Sequence, residues 1–365
     1  MKIGEIASFL ESLAHPSLQE NYDNAGLLTG DAGWECKGVI CSLDATEAVV
    51  KEAVGKKCNL IVAHHPIIFG GLKKITGRNY VEKAVITAIK NDVAIYAIHT
   101  NLDNVIDGVN GRIAQILGLK NVSVLSPRPG TLKKIFTFVP EDKAELVRNA
   151  IFVAGGGYIG NYSECSFDGA GEGTFKAEPG TNPYVGEIGK RHREKETKIE
   201  VILPSWLESK VVSAMKAAHP YEEVAYDIIG LSNDNQRVGS GVIGELAKPL
   251  SEEAFLVLLR EKFRLRLIRH TTLSGRQINK VALCGGAGSF LTSKALMSGA
   301  DAYVTADMKY HEFFDANDRM LIADIGHYES EQFTINLLQE LLEQKFTTFA
   351  VLKTEVETNP VRYFS

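Results

Sequence analysis

Twice along this chain, three short apolar runs alternate with stretches of helical pattern, and few folds accommodate that arrangement. The first set is GVICSLDAT (38–46), NLIVAHHP (59–66) and VAIYAIHTNLD (93–103), separated by TEAVVKEAVGKK and NYVEKAVITAIKND. The second is KVALCGGAG (280–288), DAYVTAD (301–307) and RMLIADIGHYES (319–330), again with helical stretches between, of which KYHEFFDAND is one. Apolar runs of this length suit strands buried on both faces, and their alternation with helices marks βαβ units with mostly parallel sheets. The expected fold class is therefore α/β, a duplicated two-lobed core formed by residues 1–129 and 233–365.

Between the lobes the texture changes. TLKKIFTFVP reads as a strand and EDKAELVRNAIFVAG as a helix. Strands are expected at 158–165 and 173–178 around a Gly-rich turn, DGAGEG. KIEVILP, SWLESKVVSAMKAAHP and EEVAYDIIGL then read as strand, helix and strand. The order β-α-β-β-α-β is that of a ferredoxin-like α+β domain, expected as an insert over residues 130–232. Within it the run at 190–198 (KRHREKETK) mixes bases with glutamates and reads as a solvated loop.

The strand ends carry the chemistry. IVAHHPIIFGG (61–71) closes an apolar strand with His64 and His65, and Pro66 stops the strand because it cannot donate to a ladder. Such a pair is either a strand cap, one ring buried and one solvated, or two ligands leaning over the carboxyl edge of a sheet, where α/β proteins place their sites. AIHTNLD brings His99 and Asp103 to a second strand end. GHYESE brings His327 and Glu331, spaced i and i+4 on one face of a helical turn. Four of only nine histidines thus sit at strand ends, which favours a metal site over chance. Imidazole and carboxylate without thiolate suit zinc first, or manganese, iron, cobalt or nickel. His64, His65, Asp103, His327 and Glu331 exceed what one tetrahedral ion needs and suit two divalent ions about 3.5–4 Å apart, with a bridging carboxylate and hydrolytic chemistry. His99 is a further ligand, a partner to a ligand, a proton shuttle or a structural residue. CGGAGSF (284–290) is a tight turn or a phosphate cradle; it lacks the lysine of a P-loop. Asp44 and Asp307 end strands at the same edge, as helix caps or substrate contacts. HPYEEVAYDI (219–228) offers His219, Glu222 and Glu223, but adjacent glutamates on a strand point opposite ways.

Composition excludes several classes. The net charge of −5 gives no basic surface for nucleic acid. Five cysteines with no C-x-x-C argue against a disulfide framework or a cysteine zinc site and suit a reducing cytoplasm. No run approaches the ~18 apolar residues of a membrane span.

NYDNAGLLTG, IVAHHPIIFGG, IHTNLD and GHYESE together resemble the dinuclear metal centre proteins, also labelled GTP cyclohydrolase 1 type 2 homologues or NGG-one-interacting-factor-three-like proteins. The resemblance covers 1–129 and 233–365. It implies metal ligation by His64, His65, Asp103, His327 and Glu331, and a toroidal homohexamer with its sites facing a central cavity. The inserted segment looks like the trimeric CutA and PII-like folds. The label implies opening of the guanine imidazole ring of GTP by a metal-bound hydroxide, although no guanine-recognition box is present. The expected function is a dinuclear metal-dependent hydrolase of a nucleotide or related phosphorylated small molecule. The alternative is a non-catalytic metal- or ligand-binding regulatory oligomer.

Overall fold

The computed structural model describes residues 1–364. Two compact units divide the chain, one made of 1–127 with 237–365 and one of 128–236. The first contains two sheets. One has the strand order Gly26–Thr29, Ala94–Ala97, Leu60–His65, Val39–Asp44, Val351–Lys353. The other has the order Arg269–His270, Leu321–Asp324, Ala302–Ala306, Gln277–Ala287, Gly239–Ser251, Lys120–Pro127. In each, the three repeat strands run parallel in the order third, second, first. The duplicated α/β architecture is thus present in both lobes.

Alternation along these strands explains the layers. Val39, Cys41, Leu60 and Val62 face a core shared with the second sheet's Val281, Leu283 and Val304. Ile40, Ile61 and Ala63 face the opposite way, under the helices Glu47–Gly55 and Tyr80–Lys90. Both helices start on side-chain caps, Thr46 accepting from the Val49 N–H at 3.4 Å and Asn79 from the Glu82 N–H at 2.8 Å. Sheets buried on both faces leave their carboxyl edges as the open place for polar groups.

Several local expectations are corrected. The third run is a strand only over Ala94–Ala97, and Thr100–Asp103 is a helical turn. Asp23 causes the change from a distant part of the chain: its Oδ2 accepts the Thr100 N–H at 3.1 Å and so caps the turn. Lys120–Pro127 is a strand that pattern reading passes over; it pairs antiparallel with Gly239–Ser251. The C-terminal strand Val351–Lys353 lies in the first lobe's sheet, beside Val39–Asp44. Tyr310–Ala316 is a 3-10 segment in place of the expected α-helix. All five cysteines are free. No helix among the described residues is long and apolar enough to cross a membrane.

The 128–236 unit is an antiparallel sheet of Leu132–Pro140, Phe167–Lys176, Arg191–Pro204 and Tyr226–Gly230 in the order second, third, first, fourth. Helices Ala144–Val153 and Glu208–Ala218 bury Val147, Ile151, Val211 and Met215 against one face. This is the ferredoxin-like arrangement. At 158–165 there is only an isolated bridge between Ile159 and Tyr162. DGAGEG is strand interior and not a turn, and 191–198 is strand and not a loop. The charged run alternates with period two, which is the pattern of a solvated strand. Its Arg193 reaches Glu172 on the glycine-bearing strand at 2.5 Å.

Candidate metal centre

The carboxyl edges of both sheets in the 1–127/237–365 unit converge on one site. His64 and His65 end Leu60–His65 with ring centroids 5.0 Å apart, so the chain turn before Pro66 lets neighbouring rings share a site. Asp103 ends the helical turn Thr100–Asp103. His327 and Glu331 bound one short helix that starts after Gly326, whose φ of +90° suits glycine. His327 Nε2 and Glu331 Oε2 are 3.1 Å apart.

All five expected ligands are together. Glu331 is their hub, with its two oxygens facing different partners. Oε1 lies 3.8 Å from His64 Nε2, which is 3.6 Å from Asp103 Oδ1. Oε2 lies 3.0 Å from His65 Nε2, and the two imidazole nitrogens of His65 and His327 are 3.4 Å apart. Three donor groups result among the described residues, His64–Asp103–Glu331, His65–His327–Glu331 and His64–His65–His99, and each has the spacing to hold an ion. A tetrahedral ion with bonds of about 2.0–2.1 Å places its ligand atoms roughly 3.3 Å apart, which these separations bracket.

Each imidazole is fixed from behind. His64 Nδ1 donates to the Ile98 carbonyl at 2.9 Å, His65 Nδ1 meets Asp44 at 2.9 Å, and His327 Nδ1 meets Asp307 at 2.6 Å. That leaves every Nε2 pointing inward, the usual arrangement behind metal-bound histidines. Asp44 therefore orients His65, and the helix cap falls to Thr46. The carboxylates of Asp44 and Asp307 were visible in the sequence as strand ends, but nothing there linked them to particular histidines.

The electrostatics suit a bound cation. His64 is fully buried, and burial lowers its pKa, so it is a neutral ring whose Nε2 carries a lone pair. That atom and Asp103 Oδ1 face each other with no hydrogen-bond partner. Two buried polar atoms without partners cost about 1–3 kcal/mol each. Burial first, then the neighbouring Glu331 charge, pushes the Asp103 carboxyl well above its usual range. Burial alone would raise Glu331 too, but His327, His64 and His65 hold it well below. An ion between His64 Nε2, Asp103 Oδ1 and Glu331 Oε1 would give each of these atoms a partner.

Protons report on this directly. Burial works against the charged rings, yet Asp44 and Glu331 raise His65 to about 9, and Asp307 and Glu331 raise His327 to about 11. Both are imidazolium at pH 7 in the ion-free chain, and an ion binds only their neutral forms. Ion binding at pH 7 is therefore expected to release protons, and affinity to rise as pH climbs from 6 to 9. Calorimetric titration in buffers of different ionisation enthalpy measures the release; no proton release would contradict the assignment.

His99 stands beside these groups, its centroid 5.3 Å from His64 and 5.4 Å from His65. Its Nδ1 meets Asp23 Oδ1 at 2.8 Å. Burial opposes the Asp23 charge, but hydrogen bonds from His99 and Thr100 hold its carboxyl down at about 2. Asp23 was missed as a site residue because no periodicity joins position 23 to position 99. CGGAGSF is not a tight turn: Cys284–Ala287 end the strand Gln277–Ala287, and the 3-10 segment Ser289–Leu291 follows Gly288. Gly286 has φ +61°, and a Cβ there would lie 2.4 Å from Glu331 Oε1. A cavity of about 1030 Å³ opens over the centre, walled by Tyr22, Phe69, Tyr80 and Phe290. No lysine or arginine among the described residues lines it.

A family model described as Duf34/NIF3 (NGG1p interacting factor 3) matches residues 1–360. A relative from Halalkalibacterium halodurans, described as a GTP cyclohydrolase 1 type 2 homolog, is 39% identical over 98% of both chains. One from Bacillus subtilis with the same description is 34% identical over 98% of both. The crystal structure of a Bacillus cereus protein related to NIF3 superposes with a TM-score of 0.88 at 38% identity, covering 100% of this chain and 99% of that one.

Proposed function

The chain belongs to the Duf34/NIF3 family, and from its site we propose a dinuclear metal-dependent hydrolase acting on a nucleotide or related phosphorylated small molecule. The observation that carries the reading is the pair of buried, unpartnered atoms, His64 Nε2 and Asp103 Oδ1. His64, Asp103 and Glu331 would hold one ion, and His65, His327 and Glu331 the other, with zinc the first choice of metal. Bound there, two divalent ions supply Lewis acidity and an activated water. Asp44, Asp307 and the Ile98 carbonyl keep the three rings aimed. His99, oriented by Asp23, leaves its Nε2 free to carry a proton. The aromatic walls shed water from a flat ring. With no lysine or arginine among the described residues lining the cavity, a phosphate would find its positive charge at the centre itself.

GTP ring opening is the most concrete form, supported by the description the relatives carry. The test is mass spectrometry of GTP incubated with protein loaded with zinc or with manganese, beside His65→Ala. Conversion to a ring-opened product by the wild type alone is expected. Two bound ions with intact GTP would remove that substrate. The second reading, a non-catalytic metal- or ligand-binding regulator, is favoured by one observation: the 128–236 unit has a cavity of its own. Assembly into a homohexamer belongs to the same proposal. Tyr22, Tyr80 and Phe290 stand exposed at the mouth of the cavity, where a neighbouring copy would cover them.

A further inference from the structure

The sheet of the 128–236 unit buries one face under its two helices and leaves the other open. On that open face the edge strand Phe167–Lys176 places Gly169, Gly171 and Gly173 in a row, opposite Lys198, Glu196 and Glu194 of the neighbouring strand. Glycine weakens a strand interior by about 0.5–1 kcal/mol, and its presence there often marks close approach by a ligand or another backbone. The row forms part of the lining of a cavity of about 730 Å³, with Phe138, Phe175, Tyr184 and Tyr221 among its walls. Phe175 and Tyr184 stand 6.0 and 6.2 Å from the Tyr221 ring.

One charged side chain is built into this cavity. Glu196 is only 8% exposed. Its Oε1 accepts the Tyr221 hydroxyl at 2.9 Å. Its Oε2 accepts no hydrogen bond among the described residues, and it lies where a Cβ on Gly173 would be, 2.1 Å away. The glycine thus makes room for the carboxylate. Both lysines of the lining are paired: Lys198 bonds Glu200 at 2.7 Å and lies over Phe136, and Lys176 meets Glu178; Glu172 pairs with Arg193, Glu222 accepts the Asn182 N–H, and Glu223 adds a further negative charge. A nearly buried carboxylate with a free oxygen, among aromatic rings and with no unpaired base beside it, selects against anions. It suits a nitrogen cation attached to a flat body, which the carboxylate pairs with and the ring faces attract.

We propose that this cavity binds a small flat organic cation, with Glu196 as its counter-ion and the glycine row as its floor. The site is formed by residues of the 128–236 unit alone and does not depend on the hydrolase reading.

The test uses the full, metal-saturated chain and p-aminobenzamidine, a flat cation whose fluorescence rises in apolar surroundings. Saturable binding is expected, with benzamide and benzoate, its neutral and anionic analogues, failing to compete. Glu196→Gln is expected to weaken binding at least tenfold. Gly171→Leu is expected to abolish it, because a Cβ at Gly171 meets nothing within 4 Å and the side chain fills the cavity without disturbing the fold. Circular dichroism and metal content should match the wild type in both variants. Absence of saturable binding would overturn the proposal, as would binding that survives both variants. So would a Gly171→Leu chain that binds normally but changes oligomeric state, since the face would then belong to a second copy.

Discussion

Replacing Glu331 with alanine is expected to empty both ion positions at once. In the proposed pair of ion positions, His64–Asp103–Glu331 and His65–His327–Glu331, only Glu331 belongs to both, with Oε1 toward His64 and Oε2 toward His65 and His327. Loss of a group that merely orients a ligand costs about 10–100-fold in metal affinity, so loss of the shared ligand should cost more than about 100-fold at both positions. The change also removes the negative charge that holds two imidazoliums together, 3.4 Å apart at their Nε2 atoms. Asp103→Ala provides the contrast. It takes away one ligand of the His64 group and leaves His65, His327 and Glu331 in place, so metal content should fall from two ions per chain toward one. Elemental analysis after dialysis distinguishes these outcomes. Equal losses in the two variants would mean that Glu331 is not shared.

The second large effect is on stability. Ion-free, the site keeps two buried atoms without partners, His64 Nε2 and Asp103 Oδ1, and burial and the Glu331 charge push that Asp103 carboxyl well above its usual range. A ligand that binds only the folded chain stabilises it by about 4 kcal/mol when present at about 1,000 times its Kd. For a unit of this size each kcal/mol moves Tm by about 2–4 °C. One saturating ion is therefore expected to raise the melting of the 1–127/237–365 unit by roughly 10 °C over chelator-treated protein. The 128–236 unit carries none of the five ligands, so its transition should stay where it is. Calorimetry of wild type and Glu331→Ala, each with and without zinc, reads this directly. A shift that persists in Glu331→Ala would place the stabilising ion elsewhere.

Much of this centre was legible because strand ends and a helical i,i+4 pair are local patterns. Apolar runs that stop at His64–His65 and near His99, and the break at Gly326 before His327, mark carboxyl strand ends without any knowledge of tertiary contacts, although these ends belong to two sheets. The parallel order of three strands in each lobe followed from alternation alone. Illegible features depended on long-range partners. Asp23 caps a turn 77 residues away, which converts an apparent strand end into Thr100–Asp103. The pairings of Asp44 with His65 and Asp307 with His327 join segments that share no periodicity. The strand Lys120–Pro127 has weak alternation and is held by its antiparallel neighbour. In the 128–236 unit, glycines that read as a turn proved to be strand, because the opposing charged strand supplies the ladder and the open face needs no side chains there.

The most direct measurement is anomalous X-ray diffraction from crystals grown with zinc and, separately, with manganese. Two peaks about 3.5–4 Å apart are expected on either side of the Glu331 carboxylate. One should lie within about 2.0–2.2 Å of His64 Nε2, Asp103 and Glu331, and the other within that distance of His65, His327 and Glu331. A single peak, or metal bound elsewhere with these five side chains unliganded, would contradict a shared dinuclear centre.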